Sequence, residues 1–194
     1  MPSTKRQRRA KIPARLRSEL ESVLIPQARI ARRVRELGRQ IQRDFAQRDL
    51  VIVSLLNGTV LFLADLIRHL DMPLRLDFMG VSSYASGTDS GELVFTKELR
   101  LDVKGRDVLL VDDILDTGKT LHRVVGKLRE LGPRRIKICV LLDKRARRQF
   151  RIRADYVGFR IPDAFVVGYG PDYAEQYRNL PFIGVLKREV YTQS

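Results

Sequence analysis

The stretch Val108–Thr120, VLLVDDILDTGKT, decides the fold. Its apolar, branched start is the composition of a strand buried on both faces, and LHRVVGKLREL behind it is a helical run that Gly132–Pro133 stops. The joint between them carries the chemistry. Asp116, Thr117, Gly118, Lys119 and Thr120 put hydroxyls, a glycine and unpaired backbone N–H groups at a helix start, where the dipole and the free donors attract a phosphate. Gly-Lys-Thr raises the possibility of a P-loop, but that pattern needs a glycine where this chain has Asp113, so the ATPase reading fails. Three carboxylates crowd the loop instead. Asp112 and Asp113, adjacent at a strand end, suit a diol and Mg²⁺, and Asp116 one turn on can serve as a base. Capping aspartates on an ordinary β–α turn would account for one of the three.

Working outward, the same strand-then-helix grammar repeats. LVIVSLL (residues 50–56) is continuous and β-branched, Asn57–Gly58 turns it, and TVLFLADLIRHL continues with helical spacing. LRLDFMGVSSY and LVFTKEL read as strands joined by the turn-rich loop SGTDSGE, and RIKICVLL as a further strand. Ile30, Val34, Leu37, Ile41 and Phe45 recur at steps of three or four after Pro26, with arginines between them, an amphipathic helix with a basic outer face. Short strands alternating with helices predict an α/β fold with a mainly parallel central sheet flanked by helices, and ligands at the carboxyl ends of its strands. Val108–Thr120 sits at such an end. The pieces YVGF, FVVGY and FIGVL, separated by prolines, are expected to complete the sheet edge or to form a small cap over the site.

Composition narrows the class. A chain of 194 residues with 44% hydrophobic content suits one domain, and no apolar run reaches the roughly 18 residues of a membrane span, so a soluble protein is expected. The single cysteine, Cys139, excludes an internal disulfide and falls in a strand-like run, where it reads as a small core residue. With no secretory pattern at the basic N-terminus, the cytoplasm is the expected compartment. A formal charge of +14 suits anionic partners without choosing between phosphates and nucleic acid. Lys5, Arg6, Arg8, Arg9, Lys11, Arg15 and Arg17 all precede the first acidic residue, Glu19, so residues 1–20 are expected to be a solvated basic tail and residues 21–194 a single domain. His69 and His122 lie in helical patterns and read as solvated or capping residues.

Val111–Thr120, an apolar strand end followed by two acids, two aliphatics and D-T-G-K-T, resembles the phosphoribosyl-pyrophosphate signature of the type I phosphoribosyltransferases. The likeness narrows to the hypoxanthine/guanine branch over about Leu50 to Leu186. SLLNGTVLFLADL resembles the pyrophosphate loop and its helix, Ser83–Tyr84 the serine–tyrosine pair of the mobile loop, LLDKR the purine-binding strand, and DAFVVGYGPDYAEQYRNLPFIGVL the C-terminal hood.

The resemblance implies the type I phosphoribosyltransferase fold with a small hood, and purine salvage: phosphoribosyl pyrophosphate and hypoxanthine or guanine give IMP or GMP and pyrophosphate. By position, Asp112 and Asp113 would bind the ribose hydroxyls, directly or through Mg²⁺, and Thr117, Gly118, Lys119 and Thr120 the 5′-phosphate. Asp116 becomes the catalytic base or acceptor at purine N7, and Lys144 the donor to O6. Phe165 would stack on the base, Val166 meet it through backbone, Asp113 hold Mg²⁺, Asp172 coordinate a second Mg²⁺ on the pyrophosphate side, and Arg178 contact pyrophosphate. Asn57 and Gly58 would form the pyrophosphate loop, with Ser83 and Tyr84 on a lid running to Gly91. By residue type alone, Lys144 reads as a solvated charge, Phe165 as core and Arg178 as a surface ion pair. Asn57 departs from the lysine or arginine of many relatives, whose contact there runs largely through backbone around an unusual cis peptide. A homodimer or homotetramer is implied, with nucleic acid not expected as a partner. The alternative is a nucleic-acid-binding regulator on the same fold, against which Asp116 and the 6-oxopurine strand argue.

Overall fold

The computed structural model describes residues 12–83 and 93–192. A single 3-10 turn at Ala14–Leu16 leads into strand β1 (Leu20–Ile25), and Pro26 then starts helix α1 (Gln27–Asp44). Ile30, Val34, Leu37 and Ile41 form the buried stripe that their spacing predicts. Gly38 on that stripe faces the turn after the next helix so closely that a Cβ would lie 2.6 Å from that of His69.

Strand β2 (Leu50–Leu56) is followed by helix α2 (Val60–Ile67), and strand β3 (Arg75–Ser83) by strand β4 (Leu93–Lys97). The central motif spans strand β5 (Asp107–Leu115) and helix α3 (Lys119–Glu130), and strand β6 (Arg135–Lys144) follows. Strand β7 (Tyr156–Ile161) closes the series. These strands form one six-stranded sheet in the order β4-β3-β2-β5-β6-β7, parallel throughout except for β4.

The unbroken apolar runs have a direct explanation. Ile52, Leu109 and Val111 enter a core shared with α1 and α2, whereas Val51, Val53, Val108 and Leu110 enter a second core shared with α3. A strand with apolar residues on both faces belongs in the middle of a covered sheet, where each buried Leu or Ile is worth roughly 1.5–3 kcal/mol. Because α2 and α3 leave neighbouring strands toward opposite faces, a crevice opens between the carboxyl ends of β2 and β5.

The remaining elements build the hood. Strand β8 (Val166–Val167) and strand β9 (Ile183–Leu186) join β1 in a three-stranded antiparallel sheet, β1-β9-β8, followed by the short helix α4 (Arg188–Tyr191), with its own core of Leu16, Leu20, Val167, Leu180, Phe182 and Leu186. Of the C-terminal pieces, YVGF completes the edge of the central sheet, whereas FVVGY and FIGVL enter the separate three-stranded sheet with β1. Residues 12–20, which the charge pattern assigns to the tail, differ from that expectation. Leu16 and Leu20 are buried in the hood core, because two apolar residues among arginines suffice once β9 offers an edge to pair with. Cys139 is buried and free. Among the described residues no helix is long and apolar enough to cross a membrane.

Candidate active site

The site is built where β5 ends. Asp112 is buried and accepts hydrogen bonds at Oδ1 from the Thr59 hydroxyl, 3.2 Å, and the Asp113 backbone N–H, 3.0 Å. Burial, with the neighbouring Asp113 charge, pushes the Asp112 carboxyl well above the usual range. Asp113 is also raised by burial, against the pull of the Arg178 guanidinium. Two neighbouring carboxyls at a strand end offer oxygens that a diol or a cation can use.

Beyond them the chain turns through Gly118 at φ 87, a left-handed conformation, and α3 begins with no side-chain cap. The Thr117 hydroxyl accepts from the Lys119 N–H at 3.3 Å. Asp112, Asp113, Asp116, Thr117, Gly118 and Thr120 line one cavity of about 230 Å³ together with Leu55 and Leu56 of β2. A larger groove, about 1570 Å³, runs along the β7 edge among Arg29, Arg33, Arg151, Arg153 and Arg160, but includes none of the three loop carboxylates.

At the far side of β2 the Leu56–Asn57 peptide is cis and the Asn57 side chain is exposed. Gly58 is wedged: a Cβ there would lie 1.9 Å from Asp113 Oδ2 and 3.5 Å from an Arg178 nitrogen. From the hood, Gly170 leans on the same loop, since its Cβ would lie 1.9 Å from the Gly58 carbonyl. Arg178 donates to the Gly170 carbonyl at 3.0 Å and pairs with Asp172 at 2.9 Å and Glu175 at 3.0 Å. Tyr169 ties the hood down from the other side, donating to Asp65 of α2 at 2.5 Å.

The end of β6 brings Lys144 to the loop between β5 and α3. Only 7% of its side chain is exposed, and Nζ lies 3.1 Å from Asp116 Oδ2, 3.5 Å from Asp163 and 3.5 Å from the Ala164 carbonyl. The reading of Lys144 by residue type, as a solvated charge, does not describe it. Asp116 Oδ1 is buried and has no hydrogen-bond partner among the described residues. Next to Ala164, Phe165 is 37% exposed, and buried Val166 pairs with Val185 of β9.

Most of the residues singled out from the sequence therefore converge on one crevice, with Asp172 and Arg178 at the rim near Gly58. Ser83 ends β3. Tyr84 and the rest of the expected lid lie outside the described residues. Sequence reasoning missed Thr59, Gly170 and Arg148. Arg148 donates to the carbonyls of Leu115, Asp116 and Ile152 and to the Asp143 carboxylate, holding the phosphate loop from behind. Inside the charge run KRARR nothing in spacing distinguishes it from its neighbours.

The model of the family described as "Phosphoribosyl transferase domain" matches residues 24–174. The hypoxanthine-guanine phosphoribosyltransferase of Bacillus subtilis is 48% identical over 177 residues, 91% of this chain and 98% of that protein. The bifunctional protein TilS/HprT of Listeria innocua is 45% identical over 179 residues, and there the chain spans 28% of the relative's length. Among solved structures, a hypoxanthine phosphoribosyltransferase from Staphylococcus aureus superposes with a TM-score of 0.87 at 44% identity, over 93% of this chain and 99% of that one.

Proposed function

The chain belongs to the phosphoribosyl transferase family, and on that premise we propose that its crevice transfers the 5-phosphoribosyl group of phosphoribosyl pyrophosphate to N9 of hypoxanthine or guanine. This is an enzyme of purine salvage. The single observation that carries the choice of base is the Lys144–Asp116 pair at the mouth of the ribose-phosphate cavity. An ammonium donates to the carbonyl O6 of a 6-oxopurine, and the exocyclic amine of adenine has nothing to offer it.

In this reading the 5′-phosphate lies on the uncapped start of α3, with Thr117, Lys119 and Thr120 around it, and the ribose hydroxyls face Asp112 and Asp113. N9 attacks C1′ as the bond from C1′ to the pyrophosphate oxygen breaks, and the proton leaves N7 for Asp116. The orphaned Asp116 Oδ1 supports that role, because a buried acceptor without a donor is costly until a ligand supplies one. Asn57, Gly58 and Arg178 bound the position of the leaving pyrophosphate. Phe165 offers a ring to the base and Val166 its backbone.

Mg²⁺ belongs to the same proposal. Among the described residues no three acidic, histidine or cysteine side chains stand together as a ready metal cluster. The donor set still fits by its chemistry: the Asp113 carboxylate beside Asp112 would hold a divalent cation, and Asp172, paired with Arg178 at 2.9 Å, would hold a second on the pyrophosphate side. The bound ion would offset charge on the departing pyrophosphate. A cytoplasmic location and a homodimer or homotetramer complete the reading.

Pyrophosphate release with hypoxanthine, guanine, xanthine, adenine and uracil, with and without Mg²⁺, tests the assignment. Turnover with uracil and none with any purine would overturn it. The family and the relatives named above give no support to the regulator reading.

A further inference from the structure

We propose that Tyr191, close to the C-terminus, is a positioning residue for the purine platform. It stacks on Phe165 and holds that ring flat for the base, an inference that rests on the function proposed above. The two rings lie 4.6 Å apart with planes 19° from parallel, and Tyr173 meets Phe165 edge-on at 5.6 Å and 86°. A ring has two faces. Tyr191 stacks on one face and Tyr173 meets the ring at a right angle, while Phe165 keeps 37% exposure for a base.

Phe165 needs such a brace, because it precedes β8 and only its backbone is tied, its carbonyl accepting from the Leu186 N–H at 2.8 Å. Tyr191 is itself firmly placed. The Lys187 N–H donates to the Glu19 carbonyl and its ammonium to the Arg17 carbonyl, each at 2.8 Å, so the start of α4 is pinned to the segment entering β1. Val190 and Tyr191 then pack on the hood core beside Leu16 and Leu20. The platform is thus assembled from both ends of the described chain, with Tyr173 linking it to Asp172 next door.

An aromatic pair of this geometry carries enough energy for a roughly three- to tenfold effect on binding. Steady-state kinetics of the full chain and of Tyr191→Ala and Tyr191→Phe decide the matter, with thermal unfolding of each recorded alongside. Tyr191→Ala is expected to raise KM for hypoxanthine by about that factor while KM for phosphoribosyl pyrophosphate is unchanged, and Tyr191→Phe to restore the wild-type value, since it keeps the stacked ring. An unchanged hypoxanthine KM in Tyr191→Ala, or an equal rise for both substrates, overturns the role of Tyr191 and leaves the function standing. A wild-type enzyme without turnover on any 6-oxopurine overturns both. If Tyr191→Ala does not fold, Tyr191→Leu, which keeps apolar bulk on the hood core without an aromatic ring, is read in the same way: an unchanged hypoxanthine KM, or an equal rise for both substrates, overturns the role of Tyr191.

Discussion

Lys144 Nζ and Asp116 Oδ2 lie 3.1 Å apart, joining the last residue of β6 to the loop between β5 and α3. The pair sets the group that would read O6 beside the group that would take the N7 proton, and it leaves Asp116 Oδ1 free of any donor. Asp116→Asn is therefore expected to lower single-turnover pyrophosphate release by on the order of 100-fold, since an amide accepts no proton. Equilibrium affinity for phosphoribosyl pyrophosphate should stay within about twofold. A proportional loss of donor affinity would instead make Asp116 a ribose ligand.

Lys144→Met keeps the length of the side chain and removes the donor. A hydrogen bond from a charged group is worth about 1.5–3 kcal/mol, so the preference for hypoxanthine over adenine in kcat/KM should fall by roughly ten- to a hundredfold. An unaltered ratio between the two bases would assign the selection to other groups.

Gly58 and Gly170 meet at the pyrophosphate loop but should fail differently when given a methyl group. At Gly58 the added Cβ strikes the end of the Asp113 side chain, which can rotate away, so Gly58→Ala is expected to fold and to raise KM for phosphoribosyl pyrophosphate by at least about tenfold. At Gly170 the Cβ strikes the Gly58 carbonyl, and φ is +122. Gly170→Ala has no side chain to displace and should lose stability as well, by roughly 1–3 kcal/mol. Urea unfolding combined with donor titration separates the two, and equal loss of stability in both variants would contradict the distinction.

How much of this was legible before the structure follows from the kind of signal each part carries. The central sheet was, because strands buried on both faces leave an unbroken apolar run, as Leu50–Leu56 and Val108–Val111 do. The phosphate loop was legible too, since its hydroxyls, glycine and acids are local in sequence. Leu20–Ile25 was not read as a strand. Its sequence LESVLI shows neither clean alternation nor a continuous run, and it becomes a strand by pairing with β9, more than 150 residues away. The resemblance implied only that Lys144 donates to O6; its burial, like the role of Arg148, came from geometry alone. Thr59 looked like a helix start, and only the packing of α2 against the end of β5 directs its hydroxyl at Asp112.

Asp77 on β3 gives the fold a pH dependence remote from the crevice. Its carboxylate accepts from the backbone N–H groups of Phe78, Arg100 and Leu101 and from the Lys97 ammonium, at 2.6 to 3.0 Å. Burial would raise its pKa, but these donors outweigh burial and hold it at about 2, against an ordinary 3.8. A depressed folded-state value stabilises the protein above the unfolded value, and the contribution is lost as pH falls from about 4 toward 2. Asp77→Asn should cost about 2 kcal/mol in urea unfolding at pH 7, with the gap closing as both proteins approach pH 2. A gap that does not change with pH would show that the carboxylate charge is irrelevant there.

Arg148 carries the last prediction, because it supports the site without bordering the ribose. Its fork reaches the Leu115 carbonyl at 3.0 Å, the Asp116 carbonyl at 2.8 Å and Asp143 Oδ1 at 2.7 Å, and Asp143 is itself 3% exposed. Removing the guanidinium leaves the Asp143 carboxylate with Arg145 alone and strips the phosphate loop of two donors from behind. Arg148→Ala should lose about 3 kcal/mol of stability, as expected for a buried pair broken from one side. Arg148→Lys should recover only part of this, since a single ammonium cannot span three acceptors set in a fork. At a temperature where both variants are folded, their affinity for a nucleoside 5′-monophosphate should fall with the order of the phosphate loop, Ala below Lys below wild type. Full affinity in Arg148→Ala would mean that Gln149 and Phe150, whose N–H groups donate to the Thr117 carbonyl at 2.9 and 3.1 Å, are enough to hold the loop.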